Sequence, residues 1–264
     1  MEIIGKISKG SKMDQIYIPK KRVGLAIGNY VIIRPLEEQK PVEKLYFYGV
    51  KEIEPLKLAI VQEVVKIIDK SLDDYENVFV TGSFLDKGFH FNDVDILIAT
   101  KDKINHELIK DNIERKTGIK AHILSLSNKE LIRGLETDPL YQMMLSRCVS
   151  KKRFIYGNKQ NIDYKLLDLH LLKSRALIDN FEMLSGSEKY DLVRNMIAIH
   201  LYLEKMSVSN ELIYKEIKKS LEVDIQEIKQ NMVAKKDFLK KYKLIYDRTF
   251  AKILNGIEHG TKQK

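Results

Sequence analysis

Cysteine is almost absent from this sequence, which contains one, Cys148, among 264 residues. A single cysteine excludes an internal disulfide framework and a zinc site built from cysteines. Apolar stretches are also short, and none reaches the ~18 residues that predict a transmembrane helix. Residues 1–12 alternate apolar with charged side chains and lack the apolar core of a signal peptide. These absences favour a reducing compartment, and we expect a cytoplasmic protein with no membrane partner.

Negative charge is the less abundant sign, with 37 acidic residues against 46 lysines and arginines and a net charge of +9 at pH 7. This mild excess permits a polyanionic partner but does not require one. The excess is densest in residues 1–36, where only Glu2 and Asp14 are acidic. The basic residues of this segment are Lys6, Lys9, Lys12, Lys20, Lys21, Arg22 and Arg34. A partner bound through charge is therefore first expected there.

Residues 1–36 combine short β-branched or aromatic runs with turn residues. The runs are residues 3–4, 15–18 and 30–33, and glycine, serine and proline residues separate them. This pattern predicts short strands joined by turns. Such a segment is too small to hold a hydrophobic core alone, so we expect it to pair with itself or with the rest of the chain.

Strand and helix patterns alternate in the middle of the chain. Strands are predicted at 45–50, 77–81, 93–100, 119–126 and 152–156, and helices at 56–71, 102–117 and after Ser127 and Asp138. Pro55 is well placed to open the first helix. Ser127 and Glu130 form the sequence of a capping box. The alternation predicts a central α/β domain with a mixed sheet over residues 56–160.

Only helical patterns follow residue 162. Helices are predicted at 164–184, 188–206 and 211–221, with one or two more from 224 to about 257, and Ser187 and Ser209 are the expected N-caps. The predicted fold class is therefore α+β. It consists of a small β element at 1–38, a linker or strand at 39–55, the central domain at 56–160 and a helical bundle at 161–264.

The segment 78–98 contains the residues with the clearest chemistry. An apolar strand ends in Gly82-Ser83, and Asp93-Val94-Asp95 opens the next apolar strand. Side chains alternate along a strand, so the two carboxylates share a face about 7 Å apart. Such a pair suits a hard divalent cation such as Mg²⁺. Gly82 and Ser83 offer backbone N–H groups and a hydroxyl to a phosphate, so the segment predicts metal-assisted phosphoryl or nucleotidyl transfer.

Gly-Ser followed by Asp-x-Asp on the next strand resembles the DNA polymerase β-like nucleotidyltransferase superfamily, and most closely its minimal branch. Lys87-Gly88 is similar to a basic residue and a glycine that often follow Gly-Ser in that branch. The resemblance covers about residues 57–160. It implies that Asp93 and Asp95 are catalytic metal ligands for Mg²⁺. It also implies that Gly82, Ser83 and Lys87 bind ATP or another NTP. The alternative is a turn with two strand-capping aspartates.

The third carboxylate of that superfamily normally lies on the strand after the helix. Residues 118–125 contain no acid here, and His122 occupies about the expected position. A neutral imidazole binds metals but is a poor substitute for the base that activates a hydroxyl. His122 is either a metal ligand or nucleotide contact, or a strand histidine without chemistry. Glu130, Glu136 and Asp138 are the acids to test as replacements.

Residues 5–36 resemble an AbrB-type swapped-hairpin element. The similar residues are Gly5 to Gly10, Ile16 to Lys20, and Leu25 to Val31, with Asn29 where the family has aspartate. The resemblance implies a homodimer and DNA binding through Lys20, Lys21 and Arg22. The alternative is a β-hairpin that packs on the catalytic domain.

In the helical region, Arg194 and His200 resemble the Arg-x(4–6)-His signature of HEPN domains. HEPN domains are helical partners and sometimes RNases. The alternative is a surface arginine and an interfacial histidine, because six residues turn an ideal helix so that the two side chains point about 120° apart.

Together the motifs predict a magnesium-dependent nucleotidyltransferase that moves a nucleoside monophosphate from an NTP to a hydroxyl. The acceptor would be a protein, an RNA end or a small molecule. The alternative function is a catalytically weak nucleotide-sensing or DNA-binding regulator with the same fold.

Overall fold

A computed structural model describes residues 7–18, 27, 44–89, 91–155 and 160–261 of the chain. The chain divides into two compact units, Met1–Lys44 and Leu45–Lys264. The second unit includes both the predicted central domain and the predicted helical domain.

The first unit contains a short two-stranded sheet. Strand β1 (Ile7–Ser8) pairs antiparallel with β2 (Gln15–Ile16), and Ile7 lies opposite Ile16. The predicted strand at 15–18 is confirmed over its first two residues. The strands predicted at 3–4 and 30–33 lie outside the described residues. So do Lys20, Lys21 and Arg22.

The second unit begins with alternating strands and helices. In chain order they are β3 (Tyr46–Tyr48), α1 (Pro55–Ser71), β4 (Asn77–Thr81), β5 (Asp93–Ala99), α2 (His106–Thr117), β6 (Lys120–Leu126), α3 (Asn128–Thr137), α4 (Pro139–Leu145) and β7 (Cys148–Ser150). A single 3₁₀ turn, Ser83–Leu85, follows β4. Helices complete the chain: α5 (Tyr164–Ser174), α6 (Ala176–Asp179), α7 (Gly186–Leu203), α8 (Asn210–Leu221), α9 (Ile225–Lys229) and α10 (Lys235–Thr261). Within the described ranges, no helix combines the length and the apolar character needed to span a membrane.

The five strands of the second unit form one mixed sheet in the order β3-β7-β4-β5-β6. Neighbouring strands are antiparallel except for β5 and β6, which are parallel. The helix α2 connects this parallel pair, as a parallel crossover requires. The molecule is therefore a mixed α+β protein, as the sequence predicts.

Apolar side chains cover both faces of the sheet. On one face, α1 and α2 bury Val64, Ile68, Ile109 and Ile113 against β4 and β5. On the other face, α3 and α4 pack over Phe79 and neighbouring residues. The later helices form their own core around α7, and Met143 of α4 belongs to that core. Helix α4 thus connects the sheet layer with the helical layer.

Several predicted boundaries are wrong. The strand predicted at 152–156 is β7, at Cys148–Ser150, because these three residues are buried between β3 and β4. The serine that caps α7 is Ser185 rather than Ser187, since Ser185 and Glu188 form a reciprocal capping box. Helix α2 begins at His106 rather than at residue 102, because Asn105 is its N-cap and accepts the Leu108 N–H through its side chain.

The helix predicted at 164–184 is interrupted after Ser174. The Tyr242 hydroxyl donates to the Ser174 carbonyl at 2.8 Å. The Ile178 N–H donates instead to the Arg175 carbonyl at 2.8 Å, which tightens the turn. A contact from a distant helix therefore divides this segment, and local propensity did not predict it.

Candidate functional site

The antiparallel pairing of β4 with β5 brings the Gly-Ser turn beside the two aspartates. Thr81, the last residue of β4, lies opposite Asp95. Gly82 and Ser83 follow directly and are exposed. The register thus joins the two halves of the motif at one end of the sheet.

A side chain at Gly82 would be strained in this arrangement. Its φ is +82°, a region that L-residues rarely adopt. A Cβ at this position would lie 2.1 Å from the Asp95 carboxylate oxygen Oδ2. The glycine therefore allows the backbone turn to contact the carboxylate directly.

Asp93, Asp95 and His122 converge at the end of β5 and β6. The parallel register places His122 opposite Asp95. The His122 Nδ1 atom lies 3.5 Å from an Asp93 oxygen and 3.6 Å from an Asp95 oxygen. One ligand atom from each of the three residues falls within a 4.8 Å cluster. Carboxylate oxygens suit Mg²⁺, and the imidazole adds a nitrogen ligand that also suits a divalent transition metal.

The electrostatics of the cluster favour a bound cation. Burial raises the pKa of Asp95, and the neighbouring charge of Asp93 raises it further. His122 and Arg194 act in the opposite direction and lower this pKa in part. A divalent cation would relieve the repulsion between the two carboxylates, because its charge stabilises both ionised forms.

A cleft of about 680 Å³ separates these residues from the helical layer. Its volume is within the range of small-molecule sites. One side, here termed the sheet wall, consists of Gly82, Ser83, Asp93, Asp95 and His122. The opposite side, termed the helix wall, consists of Ser187, Tyr190, Asp191, Arg194 and Lys229. The cleft therefore presents carboxylates from one layer to cations from the other.

Arg194 and His200 are not brought together. Arg194 lines the cleft, and His200 is half-buried beside α10, with its Nδ1 3.2 Å from the Thr249 hydroxyl. Burial lowers the pKa of His200. The two side chains thus have different surroundings, and the histidine lies between helices.

Lys87 lies at a different cleft, of about 850 Å³, together with Lys51 and Arg147. The two clefts share Asn210 and Tyr214 in their linings. The structure therefore does not bring Lys87 into the cavity that contains Gly82, Ser83 and the aspartates.

None of the three acids considered as a third carboxylate lines the cleft. Glu130 completes the capping box of α3. Asp138 caps α4 and lies 3.0 Å from the His170 Nε2 atom. Glu136 does not line the cleft, and its carbonyl accepts the Tyr202 hydroxyl.

Two acids that the sequence did not single out, Asp86 and Asp191, line the cleft instead. Asp86 accepts from Arg147, and an Asp191 oxygen lies 3.1 Å from an Arg194 terminal nitrogen. Asp86 follows Gly-Ser closely, so proximity in the chain was a usable signal for it. Asp191 had no such signal, because it lies on a helix far along the chain.

A buried lysine, also missed from sequence, holds the loop between Gly82 and Asp93. Lys57 of α1 is 0% exposed and donates to the Asp86 carbonyl. Its ammonium lies 3.1 Å from Glu54, which in turn accepts the Gly88 N–H at 2.6 Å. Three phenylalanine rings surround the ammonium at 5.3–6.0 Å, Phe84, Phe89 and Phe91. These contacts attach the loop to the start of α1.

No protein-family model matches this chain, and no curated protein matches it at a significant level. The family resemblances drawn from the motifs therefore remain expectations.

Proposed function

We propose that this protein is a magnesium-dependent nucleotidyltransferase that transfers a nucleoside monophosphate from an NTP to a hydroxyl. The observation that carries the proposal is the packing of Gly82 against Asp95 beside Asp93. The Gly-Ser turn, which offers donors to a phosphate, and the two carboxylates, which offer ligands to a metal, then line one cleft. Neither the Gly-Ser turn nor the Asp-x-Asp pair alone would support this function.

Asp93 and Asp95 would bind Mg²⁺, with His122 as a third ligand. Gly82 and Ser83 would hold phosphate oxygens through backbone N–H groups and the serine hydroxyl. The bound metal would stabilise the negative charge that develops on the transferring phosphoryl group. The acceptor oxygen forms a bond to the α-phosphorus, the bond to the bridging oxygen breaks, pyrophosphate leaves, and the hydroxyl proton passes to water.

A nucleotide-sensing regulator is the second candidate, and the position of His122 favours it. The histidine lies opposite Asp95, where the resemblance implies a third carboxylate. An imidazole ligand supports metal and nucleotide binding but activates the acceptor hydroxyl poorly. In this alternative the protein binds the NTP with Mg²⁺ but does not transfer it.

Calorimetry of NTP binding with and without Mg²⁺ tests the shared part of both candidates. We expect Asp93→Asn and Asp95→Asn to remove the magnesium-dependent binding while the fold survives, because both carboxylates are partly exposed strand-end groups. The control is Asp73→Asn, since Asp73 is an exposed acid outside the cleft. Equal affinity in wild type and in both cleft variants would contradict the site.

Transfer itself is tested with NTPs labelled at the α-phosphate, incubated with Mg²⁺ and cell extract. A labelled RNA, protein or small molecule that depends on Asp93 supports the transferase. Binding without any labelled product supports the sensing function instead. An RNA product sensitive to nuclease and a protein product sensitive to protease would identify the acceptor class.

A further inference from the structure

The helix wall is built from one stripe of α7 and the end of α9. Ser187, Tyr190, Asp191 and Arg194 recur at the three- and four-residue spacing that places side chains on one helix face. The opposite face of α7 is buried in the helical core. The stripe therefore faces the cleft for its whole length.

Lys229 joins this stripe because Gly186 lets two backbones touch. A Cβ on Gly186 would lie 1.9 Å from the Lys229 carbonyl oxygen. The absence of a side chain thus allows the end of α9 to pack on the first turn of α7. This approach brings the Lys229 ammonium to 4.6 Å from the centre of the Tyr190 ring.

The Tyr190 ring lies close to both cations of the helix wall. Tyr190 is 5% exposed, and the Arg194 guanidinium lies 5.6 Å from its centre. Burial raises the pKa of the Tyr190 hydroxyl, so the ring stays neutral at physiological pH. Arginine and lysine bind favourably to a tyrosine ring face. The pair is therefore positioned before any ligand arrives.

Both cations keep capacity for an anion. Arg194 uses one terminal nitrogen on Asp191, and its Nε atom is buried without a hydrogen-bond partner among the described residues. A guanidinium has five N–H donors, so several remain. Across the described ranges, no carboxylate lies within ion-pair distance of Lys229. Arg194 is partly buried and Lys229 is exposed, and both line the cleft that contains the carboxylate pair.

A bound metal changes the charge of the cleft. Without metal, the carboxylates of Asp93, Asp95 and Asp191 outnumber the cations Arg194 and Lys229, while Asp86 is paired with Arg147. A divalent cation neutralises the pair of Asp93 and Asp95, and Asp191 offsets only one of Arg194 and Lys229. One positive charge then remains on the helix wall, so the cleft favours a negatively charged ligand.

We propose that Arg194 and Lys229 bind the polyphosphate tail of the nucleotide and make the cleft selective for nucleoside triphosphates over monophosphates. This inference rests on the proposed function, because it assigns the distal phosphates of the same nucleotide to the helix wall. Arg194 and Lys229 contact the tail directly. Tyr190 and Gly186 act as positioning residues.

Calorimetry with ATP, ADP and AMP in the presence of Mg²⁺ tests selectivity. We expect Arg194→Gln and Lys229→Gln each to weaken ATP binding about tenfold or more, since hydrogen bonds to charged groups are the strong ones. AMP affinity should change less than about twofold. Arg194→Lys should keep part of the ATP affinity. The controls are Arg248→Gln and Lys219→Gln, exposed cations on neighbouring helices outside the cleft.

A second measurement separates this inference from the proposed function. Inorganic tripolyphosphate is titrated, without divalent metal, into the double variant Asp93→Asn/Asp95→Asn, which lacks the repelling carboxylates. We expect binding that is lost on adding Arg194→Gln. Absence of binding, or binding unaffected by Arg194→Gln, overturns the inference even if ATP binding in wild type depends on Asp93. An equal loss of ATP and AMP affinity in Arg194→Gln also overturns it. Circular dichroism verifies that each variant is folded.

Discussion

The two walls of the cleft differ in how their residues are distributed along the chain. Four of the five residues of the sheet wall lie within segment 82–95, and a strand register adds His122. The helix wall extends from Ser187 to Lys229 and crosses two helices. Functional residues that lie close together in one turn can be recognised from the sequence as a motif. Functional residues that are spread over a helix face are of types common on any solvated surface, so the sequence does not single them out.

The strongest test of the sheet wall is Gly82→Ala. The new Cβ would overlap the Asp95 carboxylate and occupy a backbone region unfavourable to alanine. We expect magnesium-dependent nucleotide binding to be abolished and the free energy of unfolding to fall by about 1–3 kcal/mol. Calorimetry and denaturant unfolding measure both effects.

The matched control for that variant is Gly118→Ala. Gly118 has a φ of +71° but no atom within 4 Å of an added Cβ. This substitution should cost about 1 kcal/mol of stability and leave binding unchanged. Equal binding losses in the two variants would mean that backbone strain, rather than contact with Asp95, explains the effect.

Lys57→Met tests whether the loop of the sheet wall depends on its attachment to α1. The variant removes the bond to the Asp86 carbonyl and the ion pair with Glu54. We expect a loss of about 2–3 kcal/mol in the free energy of unfolding, with weaker nucleotide binding. Lys66→Met, at an exposed position of the same helix, should be nearly neutral. The prediction is wrong if both variants unfold at the same urea concentration.

Gly186→Ala is the corresponding test of the helix wall and should have a smaller effect. The added Cβ would push the end of α9 away from α7 and carry Lys229 away from the cleft. ATP affinity should fall several-fold, while magnesium binding by the sheet wall stays unchanged. A parallel loss of magnesium affinity would show that the two walls are not independent.

The raised pKa of Asp95 predicts opposite effects of pH on binding and on stability. Protons compete with the metal as pH falls toward this pKa, so magnesium affinity should decline at a higher pH than for an ordinary carboxylate. In the metal-free protein, folding disfavours the ionised form of Asp95. The stability of the folded state therefore decreases as pH rises and Asp95 loses its proton. Asp95→Asn should therefore slightly raise the melting temperature near neutral pH and lose that advantage in acid. Thermal melts at several pH values measure this.

The smallest effect is expected at Cys148, a buried residue of β7 that does not line the cleft. Burial raises the pKa of its thiol to about 12. The native protein should not react with iodoacetamide at pH 8, whether or not nucleotide is bound, and should react fully in urea. Rapid labelling of native protein would contradict the buried position of β7.

Several elements were accessible from sequence because their causes are local. The limits of β4 agree with the prediction, and the first residue of β5 does too. The pleat places Asp93 and Asp95 on one face whatever the rest of the chain does. Ser127 with Glu130, and Ser209, cap helices through contacts within three residues.

Longer-range features depended on packing between segments far apart in the chain. His122 lies beside Asp95 because of the register between β5 and β6. The break after Ser174 follows from a hydroxyl on α10. Lys57, an ordinary lysine in sequence, is buried because aromatic rings and Glu54 surround it in space.

The local pattern thus specified the strands, the caps and the carboxylate pair, since backbone sterics and side-chain alternation act over a few residues. Three features could be identified only in the folded chain: the position of Arg194 and Lys229 opposite the carboxylates, the burial of Lys57 and the pairing of β7. Burial and charge are properties of what surrounds a residue, and for Arg194 and Lys229 those surroundings come from segments far apart in the sequence.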